Sequence, residues 1–136
     1  DILFALPGQT LQGLQKDLEI TMGIQPKHIS PYCLTVPNGH PLSKGRPPEE
    51  EQVEMFEMIR TTLTAHGYSQ YEISNFSKPG FESQHNLLYW TNQSWMSFGL
   101  SAHGYKQEFA PYGVRFWNPS NINEYFALID ELSDQE

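Results

Sequence analysis

The chain opens on Asp1-Ile2-Leu3-Phe4-Ala5-Leu6-Pro7-Gly8-Gln9-Thr10. Residues 2 to 6 are an uninterrupted apolar run, the pattern of a strand covered on both faces. Pro7-Gly8 breaks the run, and Thr10 stands where a side-chain oxygen can cap a helix. Leu11, Leu14, Leu18 and Met22 then recur at spacings of three and four, so an amphipathic helix follows, with Gly23 just past its end. Gly13 weakens that helix by about 1 kcal/mol relative to alanine. The apolar strand begins at once, with no initiator Met and no polar lead-in, and the chain is read as a piece of a longer protein.

Working outward, a second strand is expected from about His28 to Val36, at an edge or a bulge, because Pro31 has no N–H for a ladder. Residues 37–48 hold four prolines and two glycines and read as a loop. A second helix is expected from Glu49 to His66, with Val53, Phe56, Ile59 and Leu63 on one face. Glu49, Glu50 and Glu51 would sit at its positive end, and Gly67 just after it. Tyr71 to Phe76 reads as a short strand with Tyr71 and Ile73 facing one side. Strand, helix, strand, helix, strand is the order of βα units in a parallel sheet. Two such units cannot close a barrel.

The second half is less regular. It holds His85-Asn86-Leu87-Leu88-Tyr89-Trp90, then a run of small residues from Ser97 to Tyr105, and then an expected hairpin around Ala110 to Gly113 leading into Val114-Trp117. The last helix, about Ser120 to Leu132, would gather Ile122, Tyr125, Phe126 and Ile129.

Sixteen acidic residues against eight Lys and Arg give a net charge of −8, which repels phosphate backbones and argues against nucleic-acid binding. Cys33 is the only cysteine, so the chain by itself can form no internal disulfide and ligate no iron-sulfur cluster; a lone thiol suits a reducing compartment. No apolar run approaches the roughly 20 residues of a membrane span. A cytoplasmic protein is expected. No Ser/His/Asp order, CxxC, HExxH or Walker sequence is present, so hydrolytic, zinc and nucleoside-triphosphate chemistry find no support.

Candidate chemistry concentrates in three places. Asp1 lies at a strand start, and Pro7 to Thr10 could offer backbone amides to an anion or simply turn the chain. The run Phe98-Gly-Leu-Ser-Ala-His103-Gly104 removes side-chain bulk around one histidine. On a helix, His85 and Tyr89 would share a face at i, i+4, with Asn86 and Trp90 on the adjacent one. A neutral imidazole can ligate iron, an asparagine can hold a ring or a propionate, and the aromatics can stack on a flat macrocycle. Composition alone equally accommodates an aromatic core segment with polar tips.

Taken together, these motifs carry a resemblance. The opening segment resembles the D-[LI]-[IL]-x-G-L-P-x-Q-T stretch of the oxygen-independent coproporphyrinogen oxidase family of radical S-adenosylmethionine (SAM) proteins. Tyr71-Glu-Ile-Ser-Asn-Phe76, His85-Asn-Leu-Leu-Tyr-Trp90 and Gly99-Leu-Ser-Ala-His-Gly-Tyr105 look like the branch of that family that serves as a heme chaperone. The resemblance covers nearly the whole chain.

It implies an α/β fold: the C-terminal part of a partial (β/α)6 radical SAM barrel plus an α+β extension. Residues 1–76 would be the last two βα units and the following strand. Residues 77–136 would be the extension with the HNLLYW and GLSAHGY motifs, in the same structural unit. The CxxxCxxC loop that holds a 4Fe-4S cluster and SAM would lie upstream, and a small C-terminal domain downstream. Asp1 matches an aspartate that contacts SAM. Thr35 matches a position bordering SAM where the family residue is usually smaller, so its contact would run through the backbone. Ala5 stands where the family commonly has glycine, and its methyl group would crowd the turn. His85, Asn86, Tyr89 and Trp90 match the heme-binding signature of the chaperone branch, with His103 as a further heme candidate.

The implied function is to bind heme and hand it to heme-requiring respiratory enzymes, with 4Fe-4S and SAM in the intact protein. Such a protein is a carrier rather than an enzyme. The alternative is radical SAM decarboxylation of coproporphyrinogen III in porphyrin biosynthesis. Peripheral membrane association and a homodimer of the intact protein stay open.

Overall fold

Thr10 caps the first helix as its position suggests: its hydroxyl accepts from the Gly13 N–H at 3.1 Å. The computed structural model describes residues 1–37, 39–109 and 111–133. The chain divides into two compact units, Asp1–Glu82 and Ser83–Glu136.

The first unit runs β1 (Ile2–Phe4), α1 (Leu11–Ile24), β2 (His28–Ile29), β3 (Pro31–Cys33), α2 (Glu49–Ala65), β4 (Ser69–Glu72) and β5 (Asn75–Ser77). β1 pairs with β3 in parallel, Leu3 opposite Tyr32, and the helix between them makes this a βα crossover. β2, β5 and β4 form a separate antiparallel sheet in that order. The core gathers Phe4, Leu14, Leu18, Ile29, Met55, Ile59, Leu63, Tyr68 and Phe76. Leu14, Leu18, Met55, Ile59 and Leu63 are fully enclosed, each contributing roughly 1.5–3 kcal/mol of burial free energy.

Several local expectations shift here. β1 is covered on one face only: Phe4 is buried and stacks with Phe56 at 6.3 Å, whereas Leu3 is 46% exposed beside Tyr32. α1 runs through Gly23 to Ile24, and Gln25, not a glycine, takes the left-handed cap at φ 54°. The single strand expected over 28–36 is two short strands in different sheets. Pro31 heads the second, where the donor it lacks is least needed, and Ile2 N–H and Leu34 N–H close the pairing with Ser30 and Phe4 carbonyls.

On α2 the buried stripe is Met55, Ile59 and Leu63, while Val53 is 58% exposed. The stripe sits to one side of the one expected because an i, i+4, i+8 row and an i, i+3, i+6 row are equally good helical patterns and packing chooses between them. Gly67, at φ 78°, follows α2 as expected, and Tyr68 N–H returns to the Leu63 carbonyl.

Tyr71–Phe76 is not one strand. It folds back as the β4–β5 hairpin, with Ile73 71% exposed at the tip. Glu72 Oε1 draws the turn closed by accepting from Ser74 N–H at 2.8 Å and from the Asn75 side-chain amide. β5 therefore runs antiparallel instead of adding a third parallel strand. Asn75 in turn accepts from buried Ser30 Oγ at 2.6 Å, tying the hairpin to β2.

The second unit contains α3 (Gln84–Trp90), β6 (His103–Lys106), β7 (Val114–Trp117) and α4 (Ile122–Ser133). Ser83 caps α3 by accepting from Asn86 N–H at 3.3 Å. β6 and β7 are the expected hairpin, with His103 opposite Trp117 and Tyr105 opposite Arg115. Ala110, named for its turn, lies outside the described residues. Gly104 permits the pairing: a Cβ there would stand 2.2 Å from the Phe116 ring.

Asn121 caps α4 through Asn123 N–H, and the Tyr125 hydroxyl receives Gly99 N–H. The expected α4 stripe is only partly covered. Tyr125 is half-buried, but Ile122, Phe126 and Ile129 are exposed. Among the described residues no helix is long and apolar enough to cross a membrane.

Candidate functional site

HNLLYW makes up the last six residues of the seven-residue helix α3, so the i, i+4 geometry expected of it is realised. His85 Nε2 lies 3.1 Å from the Tyr89 hydroxyl, with the two rings edge to face at 5.0 Å. His85, Tyr89 and Trp90 are exposed and Asn86 is half-buried. The His85–Tyr89 pair is therefore open to a ligand.

Behind this face stands an aromatic column that sequence reasoning did not assign a role. Tyr89 packs on Trp95 at 4.2 Å between ring centroids, and Trp95 packs on Tyr105 at 5.0 Å. Trp95 is 8% exposed and Tyr105 7%. Trp95 and Tyr105 exchange two backbone hydrogen bonds, the Trp95 indole N–H donates to the His103 carbonyl, and the Tyr105 hydroxyl donates to the Tyr112 carbonyl. Buried aromatics with polar tips satisfied in this way form a stiff wall.

A clip ties the residue before Trp95 to the segment just after β6. Ser94 Oγ donates to Glu108 at 2.9 Å and accepts from Gln107 N–H. The Glu108 carboxyl is held below its ordinary range by its own backbone N–H and by Ser94. The signal for Trp95 was its spacing from Trp90 in an aromatic-rich segment, which becomes meaningful only once β6 brings Tyr105 alongside.

His103 is elsewhere. It is exposed at the start of β6 and pairs with Trp117 at 6.0 Å; its tie to the column is through its backbone carbonyl, not its imidazole.

In the first unit, Asp1 is exposed just before β1, and Thr35 is exposed two residues past β3, its hydroxyl donating to the Cys33 carbonyl at 3.3 Å. The parallel register puts Asp1 beside Ser30, so Thr35 is five residues farther along, roughly 16 Å at strand rise. The two residues are not brought together. Ala5, by contrast, explains itself: it sits at φ 60°, buried, with its carbonyl accepting from Arg46 Nε at 3.2 Å. A glycine would meet that backbone without strain, and alanine adopts it at a cost. Arg46 also donates to Gln52, which donates in turn to the Pro47 carbonyl, so the turn after β1 is clamped to the start of α2. Among the described residues no group of three or more His, Cys, Asp or Glu gathers as a metal site.

No protein-family model matches the chain. Among solved structures it is similar to coproporphyrinogen III oxidase (HemN) from Escherichia coli, described as a radical SAM enzyme, with a TM-score of 0.69 over 95% of this chain and 33% of that one. At 14% identity this likeness shows the fold alone, an α/β segment. Among curated proteins it is 41% identical to the heme chaperone HemW of Bacillus subtilis (strain 168), over 96% of this chain and 35% of that protein. It is 34% identical to the heme chaperone HemW of Lactococcus lactis subsp. lactis, over 92% and 34%. It is also 38% identical to the mitochondrial radical S-adenosyl methionine domain-containing protein 1 of Danio rerio, over 83% and 26%. The chain belongs to the HemW/HemN-like radical SAM family and spans about a third of the length of the curated relatives it matches.

Proposed function

We propose that the protein carrying this segment is a cytoplasmic heme chaperone, which binds heme and passes it to heme-requiring respiratory proteins. The observation that supports this most directly is the outward face of α3: an imidazole and a phenol on one side, backed by a buried aromatic wall, in a chain 41% identical to a HemW. His85 is the proposed iron ligand. Asn86, Tyr89 and Trp90 would orient and cover the macrocycle, and His103 is a secondary heme contact. An exposed ligand on a short helix suits a cargo that must leave again, since transfer requires that a recipient can reach it.

On this reading residues 1–76 belong to the radical SAM barrel and residues 77–136 to the extension that carries heme. A 4Fe-4S cluster and SAM complete the intact protein. Cys33 is the only cysteine here, so the cluster ligands would come from outside these residues. Asp1 and Thr35 are the proposed SAM contacts, and their separation means that they would touch distant parts of it.

The test is a hemin titration of the full-length protein followed through the Soret band. His85→Ala is expected to lose the shifted band seen in wild type. An unshifted spectrum in wild type, or an identical band in the variant, removes the assignment. Formation of protoporphyrinogen from coproporphyrinogen under anaerobic reducing conditions would support the oxidase reading instead.

A further inference from the structure

Two of the exposed groups on α3 are already engaged with each other. His85 Nε2 and the Tyr89 hydroxyl lie 3.1 Å apart. Either tautomer of the imidazole occupies Nε2: it accepts the phenol proton with its lone pair, or it carries a proton given to the phenol oxygen. Ligation of iron needs a bare lone pair on nitrogen. Binding through Nε2 therefore has to break the contact with Tyr89.

Tyr89 is not placed to give way. Its ring lies 4.2 Å from that of Trp95, which is buried, donates from its indole to the His103 carbonyl and is bonded through its backbone to Tyr105. The hydroxyl is thus held in position by the aromatic column. His85 is exposed and can turn about its own side-chain bonds.

We infer that Tyr89 is an internal competitor for His85 that makes heme ligation reversible; the inference rests on the reading that His85 ligates heme iron. In the heme-free protein Tyr89 holds Nε2, which lowers the apparent affinity for heme. When heme leaves, the imidazole returns to a waiting partner instead of to water, which favours release to a recipient. The expected effect on affinity is about fivefold, the equivalent of roughly 1 kcal/mol for a net neutral hydrogen bond.

The experiment compares wild type, Tyr89→Phe and His85→Ala in the full-length protein. Hemin affinity is read from the Soret band, and the rate of hemin loss from transfer to excess apomyoglobin. Tyr89→Phe keeps the ring on Trp95 and is expected to bind hemin about fivefold tighter and release it more slowly. Unchanged or weaker binding in Tyr89→Phe, with the band lost in His85→Ala, overturns the competitor role and leaves His85 as ligand. A band unchanged in His85→Ala overturns the ligand and the competitor together. If near-ultraviolet circular dichroism shows that Tyr89→Phe does not fold, 3-fluorotyrosine at position 89 serves in its place. The fluorinated phenol donates more strongly and accepts more weakly, so hemin affinity must shift whichever tautomer His85 holds, and affinity equal to wild type overturns the inference.

Discussion

Tyr89 and Trp95 pack with ring centroids 4.2 Å apart, and this contact joins a seven-residue helix to the β6–β7 hairpin. A helix of that length is not stable by itself in water, so α3 depends on what its aromatic side chains rest against.

Trp95→Ala is expected to destabilise the second unit by about 3–5 kcal/mol, the usual cost of emptying a buried tryptophan site. Trp95→Phe should cost much less, because it keeps a ring in the column and loses the indole bond to the His103 carbonyl. Urea titration of the full-length protein, followed by near-ultraviolet circular dichroism, gives both values. Equal stability in wild type and Trp95→Ala would show that the column does not hold the unit together.

Ala5 makes the opposite kind of prediction. Removing a buried methyl group ordinarily costs about 1 kcal/mol, and glycine adds roughly 0.5–1 kcal/mol of unfolded-state entropy. At φ 60° relief of left-handed strain returns roughly 1–2 kcal/mol, so Ala5→Gly is expected to be close to neutral. Ala5→Val should cost about 3 kcal/mol, since a β-branched residue at positive φ in a filled core suffers both strain and overpacking. Denaturation midpoints of the two variants check the pair, and similar losses in both would exclude backbone strain as the cause.

Tyr68 supplies a pH dependence. Its side chain is buried, its hydroxyl donates to the Pro26 carbonyl at 2.6 Å, and burial pushes the phenol above its ordinary value of 10.0. The folded state thus prefers the neutral phenol more than the unfolded state does. Its contribution to stability is complete below the ordinary value and is lost as pH rises toward the raised one. Stability should begin to fall as pH rises past the ordinary value of 10.0, and Tyr68→Phe should be less stable at neutral pH yet flatter above it. Parallel pH profiles for the two proteins would rule Tyr68 out as the source.

Much of the first unit was legible from local pattern. The cap at Thr10, the stripe through Leu14 and Leu18, the glycine after α2 and the edge placement of Pro31 each follow from one residue's chemistry or from a period of 3.6. The misreadings share a cause. Tyr71–Phe76 has strand composition throughout, and only the closure of Ser74 and Asn75 onto Glu72 makes it a hairpin. Val53 and Met55 are both apolar, and the packing of α2 on its neighbours, not the sequence period, selects Met55.

At the candidate site the helical pairing of His85 and Tyr89 was readable, because i and i+4 neighbours meet on any helix. Their support was not. Trp95 and Tyr105 lie ten residues apart in sequence, and their stacking exists only because β6 returns alongside Trp95 and two backbone bonds fix the register.

The sequence by itself determined the Thr10 cap, the glycine after α2 and the pairing of His85 with Tyr89 on one helix, because these depend on covalent geometry and on neighbours a few positions away. Only the tertiary structure decided which face of β1 stays uncovered, that YEISNF doubles back, and that a buried tryptophan column holds Tyr89 against His85. Those outcomes depend on contacts between segments distant in the chain, where many pairings satisfy the same local pattern and the close packing of side chains selects one.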